Sequence, residues 1–299
     1  MRSIGPRALA LLTLAVAIAA LAAGCGNGDA TSFSISAQTP RRIVSLSPTA
    51  TEDLFAIGAG DLVVAVDDQS SFPPQAPRTD LSGFQPNVEA IVSHRPDLVV
   101  MAGEGTRAAA RGLQELGVRV LVQPAARTLS QAYAQIRQLG GITTHSTAAE
   151  RVVARMRARI ARALRAAPLG RGLSFYHELG PDYFSADSNT FIGRIYALFG
   201  LANVADAAAG AAGTGYPQLS AEHILAADPD LIVLADAGCC GQSAATVRHR
   251  PGWAGVAAVR RGGVVVVDED VASRWGPRIP LFAEEIASAI RRVEGVRRG

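Results

Sequence analysis

The sequence contains no lysine, and all 29 of its basic residues are arginines. Against 26 acidic residues they leave a formal net charge of only +3. Aromatic residues make up 5 % of the chain, and the arginines are scattered apart from a cluster at Arg291, Arg292, Arg297 and Arg298. A nucleic-acid-binding surface combines a concentrated basic stripe with aromatic side chains that stack on bases. The composition therefore predicts no nucleic-acid partner.

Recognisable catalytic motifs are also missing, since the sequence has no Gly-x-Ser-x-Gly, no His-Glu-x-x-His and no P-loop. Gly103, Gly105 and Ala108 form a partial dinucleotide-binding fingerprint between a predicted strand and a predicted helix. The next predicted strand, however, ends without the acidic residue that would hold a ribose. We therefore predict that the chain is not an enzyme. An exported dinucleotide-dependent enzyme is the alternative from another class.

Only one long hydrophobic run is present, from Ala8 to Ala23, and Thr13 is its one polar residue. This run has 16 residues, fewer than the roughly 20 that a membrane-spanning helix needs. It follows Arg2 and Arg7, as the apolar core of a signal peptide follows a positively charged segment. We therefore predict a signal peptide over residues 1–24 and no transmembrane helix.

The predicted signal peptide runs into the letters LAAGC, which resemble the bacterial lipobox. In such a sequence Cys25 becomes the lipidated first residue of the exported chain. An ordinary secretory signal with an incidental cysteine is the alternative. Residues 25–40 are mostly small and polar, as in a flexible tether. Together these features predict an exported protein that a lipid anchor holds on the outer face of the cell membrane.

Cysteine is rare, and two of the three cysteines are adjacent. With Cys25 lipidated, Cys239 and Cys240 remain in an oxidising compartment. Their adjacency allows a vicinal disulfide, with two free thiols as the alternative. The sequence has no spaced set of histidines and cysteines of the zinc-site type, so we predict no metal site.

Predicted strands and helices alternate along the chain, and several of the strands are continuous apolar runs. This order is typical of right-handed crossovers and of parallel sheets that are covered on both faces. It predicts an α/β fold with two Rossmann-like lobes and mainly parallel sheets, at residues 41–127 and 169–299. Residues 128–168 would link the lobes through one long, rigid helix from Thr147 to Ala167, which begins at a capping box.

One segment occurs twice, as VEAIVSHRPDLVVMA and, 133 residues later, as AEHILAADPDLIVLA. In each copy an aspartate, Asp97 or Asp230, comes directly before a predicted strand. We expect these two residues to begin strands rather than to line a site, because ligands of parallel sheets bind at the opposite ends of the strands. A glutamate near the head of each copy, Glu89 or Glu222, lies in the first turn of a predicted helix.

The lipobox, the tether, the two lobes and the linking helix together resemble the Fe/B12 periplasmic-binding family, the class III substrate-binding proteins of bacterial ABC importers. The resemblance covers about residues 41–292. It is most specific in RRIVSLSPTATEDLFAIGAGDLVVAV, NVEAIVSHRPDLVV, LSAEHILAADPDLIVL and RWGPRI, and it is greatest with the cobalamin-binding members. It implies a monomer without a cofactor of its own, which captures a metal-chelate small molecule between its lobes and delivers it to a permease dimer.

The resemblance implies a corrinoid as the ligand, with an iron-siderophore or haem as the alternative. The strand ends and the family's pattern together give the expected ligand-binding residues, which are Asp67, Phe84, Glu104, His177, Tyr216, Arg274 and Trp275. Aromatic faces suit a large, flat macrocycle. As alternatives, Phe84 and Tyr216 would anchor loops and Arg274 would form a structural ion pair. An excess of acidic residues near the strand ends predicts an electronegative cleft that favours neutral or cationic ligands.

The resemblance also implies a role for the two glutamates of the repeated segment. Glu89 and Glu222 would lie on the outer surface of one lobe each and dock onto arginines of the permease. The alternative is that each carboxylate only stabilises the first turn of its helix through the helix dipole.

Overall fold

The computed structural model describes residues 38–103, 106–167, 170, 172–208 and 215–298. The predicted signal peptide, Cys25 and Glu104 lie outside the described residues, as does most of the predicted tether.

The described residues form nine β-strands and twelve α-helices. The strands are β1 (Ile43–Leu46), β2 (Val63–Asp67), β3 (Arg78–Leu81), β4 (Leu98–Ala102), β5 (Arg119–Gln123), β6 (Ser174–Glu178), β7 (Ala202–Asn203), β8 (Leu231–Leu234) and β9 (Val264–Val266). The helices are α1 (Pro48–Ala56), α2 (Val88–Ser93), α3 (Arg107–Glu115), α4 (Leu129–Ile142), α5 (Ser146–Ala166), α6 (Phe191–Ala197), α7 (Ala221–Ala227), α8 (Ala237–Cys240), α9 (Ala244–His249), α10 (Ala257–Arg260), α11 (Glu269–Ser273) and α12 (Ile279–Arg298). None of the helices in the described part of the chain is both long and apolar enough to cross a membrane.

The strands form two parallel sheets, one in each lobe. The first has the order β3-β2-β1-β4-β5 and the second the order β7-β6-β8-β9. In the first sheet β1 pairs with β4, with Ile43 opposite Leu98 and Leu46 opposite Met101. All residues of β1 and of β8 are buried. The predicted fold class, two α/β lobes with parallel sheets, is thus confirmed.

Alternate residues of β1 show how both faces of the first sheet are covered. Ile43 is buried in one apolar cluster with Leu54 of α1 and Ile136 of α4. Its neighbour Val44 points to the opposite face and is buried in a second cluster that contains Ile91 of α2. Successive side chains of a strand point to opposite faces, so a strand between two helical layers has to be apolar throughout.

The segment that links the lobes contains two long helices, α4 and α5, rather than one. The helix α5 starts and ends one residue before the predicted bounds. Val152, Met156 and Ile160 lie at helical spacing on α5 and are buried in the same apolar cluster as residues of α4 and α12. The stripe of apolar residues therefore holds the linking helix against both of its neighbours.

The predicted capping box at the start of α5, in which Glu150 would pair with Thr147, does not form. His145 is the N-cap residue, and its side chain makes no hydrogen bond to the helix. The Glu150 carboxylate instead accepts two hydrogen bonds from the Arg137 guanidinium of α4, at 2.7 and 3.0 Å. A bidentate arginine–carboxylate pair is a strong competitor for a single backbone hydrogen bond.

Two kinds of element were absent from the sequence-based prediction. The edge strand β3 lies in a segment predicted to be a loop, because three of its four residues are polar and only Leu81 is buried. The helices α8, α9 and α11 span only four to six residues each. Elements this short show no reliable hydrophobic periodicity.

Asp97 and Asp230 lie directly before β4 and β8 and line neither of the two cavities between the lobes, as predicted for these two residues. The Asp97 carboxylate accepts hydrogen bonds from the backbone N–H groups of Arg41 and Arg42, at 2.8 and 3.1 Å. The Asp230 carboxylate accepts one from the N–H of Ser174 at 3.1 Å. Each aspartate thus ties together the starts of two paired strands, β1 with β4 in the first lobe and β6 with β8 in the second.

Candidate ligand-binding cleft

Two adjoining cavities lie between the lobes. The first has a volume of about 270 Å³ and is lined by Leu46, Pro48, Asp67, Gln69, Gly83, Phe84, Ala102, Gly103, Thr106, Ala125 and Trp275. The second has a volume of about 300 Å³ and is lined by Ala125, Ala126, Arg127, Asn189, Thr190, Phe191, Ile192, Gly215, Tyr216, Ser273 and Trp275. Three residues of the first cavity are the last residues of β1, β2 and β4. The first cavity therefore occupies the carboxyl ends of these strands, where parallel sheets bind their ligands, and the second adjoins it at Ala125 and Trp275.

Three aromatic residues predicted to bind the ligand line these cavities. Phe84 lines the first and is 84 % exposed, and Tyr216 lines the second and is 46 % exposed. Trp275 lines both, and its indole N–H donates a hydrogen bond to Oε1 of Gln135 at 2.8 Å. The hydrogen bond fixes the indole ring between the two cavities. The three rings together present a broad apolar surface to a ligand.

Asp67 also lines the first cavity, although only 1 % of its surface is exposed. Burial raises the pKa of the Asp67 carboxyl, and the neighbouring Asp68 carboxylate raises it further. A Cβ atom on Gly83 would lie 2.6 Å from Oδ2 of Asp67 and 2.9 Å from the Leu46 carbonyl oxygen. Only glycine fits there, and its small size lets the loop that carries Phe84 pass directly over the ends of β1 and β2.

His177 does not line either cavity, and its predicted contact with the ligand does not fit its position. The residue is fully buried in the second lobe. Its Nδ1 lies 2.7 Å from the Tyr196 hydroxyl, and its ring packs edge-on against Phe282. Burial lowers the pKa of His177 to about 3, so the ring is neutral at neutral pH. The reason is strand alternation, which points the side chain of His177 towards α6 and α12 rather than out of the strand end.

The strand end next to His177 carries a buried ion pair. Arg250 donates hydrogen bonds from Nη1 and Nη2 to the two carboxylate oxygens of Glu178, at 2.6 and 2.5 Å. Asp236, also fully buried, has no hydrogen-bond partner for its carboxylate oxygens among the described residues. Burial, and secondly the Glu178 carboxylate, raise the pKa of Asp236 to about 6. This carboxylate pair is enclosed in the second lobe and lines neither cavity.

Cys239 and Cys240 are joined by a disulfide at the end of α8. Both residues are exposed. The helix follows β8, so the disulfide lies at the edge of the sheet that carries the cleft, but neither cysteine lines the two cavities.

Arg274 forms ion pairs rather than facing the cavities. Its Nη1 donates to Oε1 of Glu52 at 3.1 Å, and its Nη2 lies 2.5 Å from Oδ1 of Asp270. The same Nη2 donates to the carbonyl oxygen of Gln69 at 2.9 Å. The guanidinium is thus occupied by partners from both lobes, which is the structural alternative for this residue. The predicted ligand contact of Arg274 does not fit this arrangement.

The two glutamates of the repeated segment are both exposed. Glu89 lies in the first turn of α2, which Asn87 caps, and Glu222 lies in the first turn of α7, which Ser220 caps. The Glu222 carboxylate accepts hydrogen bonds from the backbone N–H of Glu222 and from the Ser220 hydroxyl, and both lower its pKa. A crossover helix begins where the preceding strand ends, so both glutamates lie on the side of their sheets that carries the cleft.

The expected electronegative cleft is not found in the described residues. Asp67 is the one acidic residue that lines either cavity there, and burial raises the pKa of its carboxyl. Arg127 is the one basic residue among them. Within the same part of the chain, no group of three or more histidine, cysteine, aspartate or glutamate side chains could hold a metal ion.

Sequence reasoning missed four residues whose charges shape the cleft and its surroundings. These are Glu52, Arg127, Arg250 and Arg278. Nothing in the sequence marks Glu52, because its burial becomes visible only in the structure, where every residue from Thr49 to Leu54 is buried. A buried carboxylate requires a cationic partner. The other three are arginines among 29 in the chain, and of these only Arg278 stands in a segment that carries the family resemblance, RWGPRI.

The chain matches the family described as periplasmic binding protein over residues 43–271. It is 30 % identical to an uncharacterised ABC transporter substrate-binding lipoprotein of Bacillus subtilis over 260 residues, 84 % of this chain and 80 % of that protein. It is 32 % identical to a cobalamin-binding protein of Halobacterium salinarum over 265 residues, 84 % of this chain and 69 % of that protein. A solved structure of a periplasmic heme-binding protein from Roseiflexus sp. RS-1, in apo form, superposes with a TM-score of 0.72 and 25 % identity, covering 85 % of this chain and 99 % of that one. With its two parallel-sheet lobes and long linking helices, the chain belongs to the periplasmic binding protein family, in its class III architecture.

Proposed function

We propose that the protein is an extracytoplasmic solute-binding lipoprotein that captures a corrinoid between its lobes and delivers it to an ABC permease. The observation that carries this proposal is the set of three aromatic rings, Phe84, Tyr216 and Trp275, around two adjoining cavities. A side chain as apolar and as exposed as Phe84, at 84 %, is suited to contact with a ligand. A flat macrocycle with apolar faces and polar edges matches such walls.

A corrinoid fits the cavity walls better than haem does. Haem iron takes an axial ligand from histidine, cysteine, methionine or tyrosine. Tyr216 is the one such residue among the described residues that line the cavities, and partial burial together with Asp187 raises the pKa of its phenol. A raised pKa disfavours the phenolate that would bind iron. A corrinoid brings its cobalt with ligands already attached and needs none from the protein.

The similarities to known proteins support the same order of candidates. A relative at 32 % identity is named a cobalamin-binding protein, whereas a heme-binding protein is similar in structure at 25 % identity. Haem, or an iron-siderophore, is therefore the second candidate. These relatives are binding proteins by name, and we infer that this chain likewise captures its ligand without converting it, as a monomer.

Membrane attachment is the second part of the proposal. The lipobox around Cys25 and the polar residues after it support lipidation of this cysteine, and a relative at 30 % identity is named a lipoprotein. An acyl chain on Cys25 would hold the exported protein at the outer face of the cell membrane. Metabolic labelling with a tritiated fatty acid tests this, because Cys25→Ser should abolish the label.

Permease docking is the third part. Glu89 and Glu222 are exposed, lie in equivalent first turns of α2 and α7, and belong to different lobes. Two carboxylates on the cleft side of the two lobes match a dimeric partner with arginines in two equivalent positions. Docking through this side would place the cleft against the permease, so that the ligand passes directly between the two proteins.

The ligand is tested by calorimetric titration of the purified protein with cyanocobalamin, hemin and a ferric hydroxamate siderophore. We expect cyanocobalamin to bind most tightly and to raise the unfolding free energy by about 2.7 kcal/mol at 100 times its Kd. If hemin binds more tightly than cyanocobalamin, haem is the ligand. Binding of NAD and of none of the three chelates would overturn the binding-protein assignment.

A further inference from the structure

We propose that Arg127 binds the phosphodiester of the corrinoid, so that the second cavity holds the nucleotide part of the ligand and the first holds the corrin ring. This inference rests on the proposed function, because it concerns the same cleft. It adds a specificity determinant that separates complete corrinoids from those that lack the nucleotide.

Arg127 is the one charged side chain among the described residues that line the second cavity. It is exposed, and its guanidinium forms no ion pair and no hydrogen bond with any residue in the described part of the chain. Its backbone is fixed, since its N–H donates to Oε1 of Gln131 at 2.7 Å. An arginine with a fixed backbone and unoccupied N–H groups can bind a phosphate through two parallel hydrogen bonds.

Two hydroxyl groups that line the same cavity are already engaged within the protein. The Thr190 hydroxyl donates to the Asp187 carbonyl oxygen at 2.7 Å and accepts from the N–H of Gly193 at 3.0 Å. The Ser273 hydroxyl donates to the Glu269 carbonyl oxygen at 2.7 Å. Neither hydroxyl hydrogen is therefore available to an anion, and Arg127 carries the one positive charge among the described residues that line this cavity.

The contrast between the two cavities gives the orientation of the ligand. The first cavity is lined mostly by apolar groups, with the Phe84 ring exposed and Asp67 almost fully buried. It suits the uncharged face of a corrin ring. A complete corrinoid carries one phosphodiester, in the arm that links its ring to the nucleotide base. The second cavity adjoins the first through Ala125 and Trp275, so one ligand can extend into both.

The test compares cyanocobalamin with dicyanocobinamide, which has the same ring but lacks the nucleotide and its phosphodiester. The protein, its Arg127→Gln variant and its Arg155→Gln variant are titrated with both compounds at fixed salt. Arg155 is an exposed residue of α5 that lines neither cavity, and its replacement removes the same charge. We expect Arg127→Gln to weaken cyanocobalamin binding by about 10-fold or more, as for loss of a charged hydrogen bond.

The same Arg127→Gln substitution should leave dicyanocobinamide binding unchanged, and Arg155→Gln should change neither affinity. If Arg127→Gln weakens both compounds equally or neither of them, the phosphodiester assignment is wrong while the corrinoid function stands. If the unmodified protein binds neither compound, the corrinoid function itself is wrong and this inference is excluded with it.

Discussion

Arg278, the residue before α12, donates two hydrogen bonds to Glu52 of α1, from Nε at 2.8 Å and from Nη2 at 2.6 Å. The Glu52 side chain is 1 % exposed, and Arg274 donates a third hydrogen bond to it at 3.1 Å. Trp275 lies between these two arginines in the chain. The buried carboxylate of the first lobe thus anchors the segment that places Trp275 between the two cavities.

Loss of this ion pair should destabilise the protein. Arg278→Met removes two of the hydrogen bonds to a buried carboxylate, and breaking one partner of a buried pair costs about 3 kcal/mol. Urea unfolding at pH 7 measures the change. Arg291→Met is the matched control, because Arg291 is an exposed residue of α12, the helix that follows Arg278. Equal stability of the two variants would show that the pair contributes nothing beyond a surface charge.

Asp236 should make the protein less stable as the pH rises. Its folded pKa of about 6 lies above its ordinary value of 3.8, so the folded state retains the proton after the unfolded chain has lost it. The unfolding free energy should therefore fall by about 2 kcal/mol between pH 4 and pH 7 on account of this group alone. Asp236→Asn removes the titration, so the difference in stability between variant and unmodified protein should grow in favour of the variant over this range.

The control for Asp236 is Asp61→Asn, an exposed aspartate in the turn before β2. Urea unfolding of all three proteins is measured at half-unit steps of pH. A stability difference between Asp236→Asn and the unmodified protein that stays constant with pH would contradict the assignment of a raised pKa to Asp236.

His177 should affect acid stability and leave ligand affinity unchanged. Its folded pKa of about 3 lies below the ordinary 6.5, so the unfolded chain binds a proton first as the pH falls. This group should cost the unmodified protein about 2 kcal/mol of stability between pH 6.5 and pH 5. His177→Gln is less well packed at pH 7, but its stability deficit should shrink over that range.

The ligand measurement on His177→Gln tests the position of this residue independently. Because His177 is fully buried and contacts Tyr196 and Phe282 instead of a cavity, cyanocobalamin affinity at pH 7 should match that of the unmodified protein. A tenfold loss of affinity in a folded His177→Gln variant would show that His177 contacts the ligand.

Phe84→Ala should weaken ligand binding without changing stability. At 84 % exposure the ring contributes little to the folded core, whereas a stacked aromatic contact with the ligand and its buried area contribute about 2 kcal/mol. We expect about a 30-fold rise in Kd for cyanocobalamin. Leu116→Ala removes another exposed apolar side chain, at 62 %, that lines neither cavity. If both substitutions change the Kd for cyanocobalamin equally, Phe84 does not contact the ligand.

Reversal of charge at both Glu89 and Glu222 should abolish transport and leave ligand affinity unchanged. Each carboxylate is exposed, so Glu89→Arg together with Glu222→Arg should not unfold the protein, but it places like charges opposite the arginines expected on the permease. Uptake of labelled cyanocobalamin by whole cells gives the first readout and calorimetry the second. Glu115→Arg, an exposed residue at the end of α3, serves as the control. Transport that survives the double reversal would exclude docking through these residues.

Much of the fold follows from local patterns in the sequence. Continuous apolar runs predicted the central strands, such as β1 and β8. The Pro-Asp-Leu segments predicted where β4 and β8 begin. These signals depend on neighbours within a few residues, and helix caps and strand starts are formed by such neighbours. The aromatic residues of the cleft were located by the same means together with the family resemblance.

The charged residues could not be placed in this way. His177 and Asp67 both lie at or next to a strand end, yet only Asp67 lines a cavity, because the side that a strand residue faces depends on which helices cover it. Likewise the family resemblance pointed to Arg274 as a ligand contact and did not point to Arg127. The first is occupied by carboxylates of both lobes, and the second faces the second cavity.

The amino-acid sequence by itself determined two parallel-sheet lobes and their linking helix, because apolar periodicity and turn residues are local properties. Only the tertiary structure decided the roles of the charges. Glu52 meets Arg278 across 226 residues and Glu178 meets Arg250 across 72. Whether an arginine is neutralised by such a partner or left to bind a ligand depends on distances that exist only once the chain has folded.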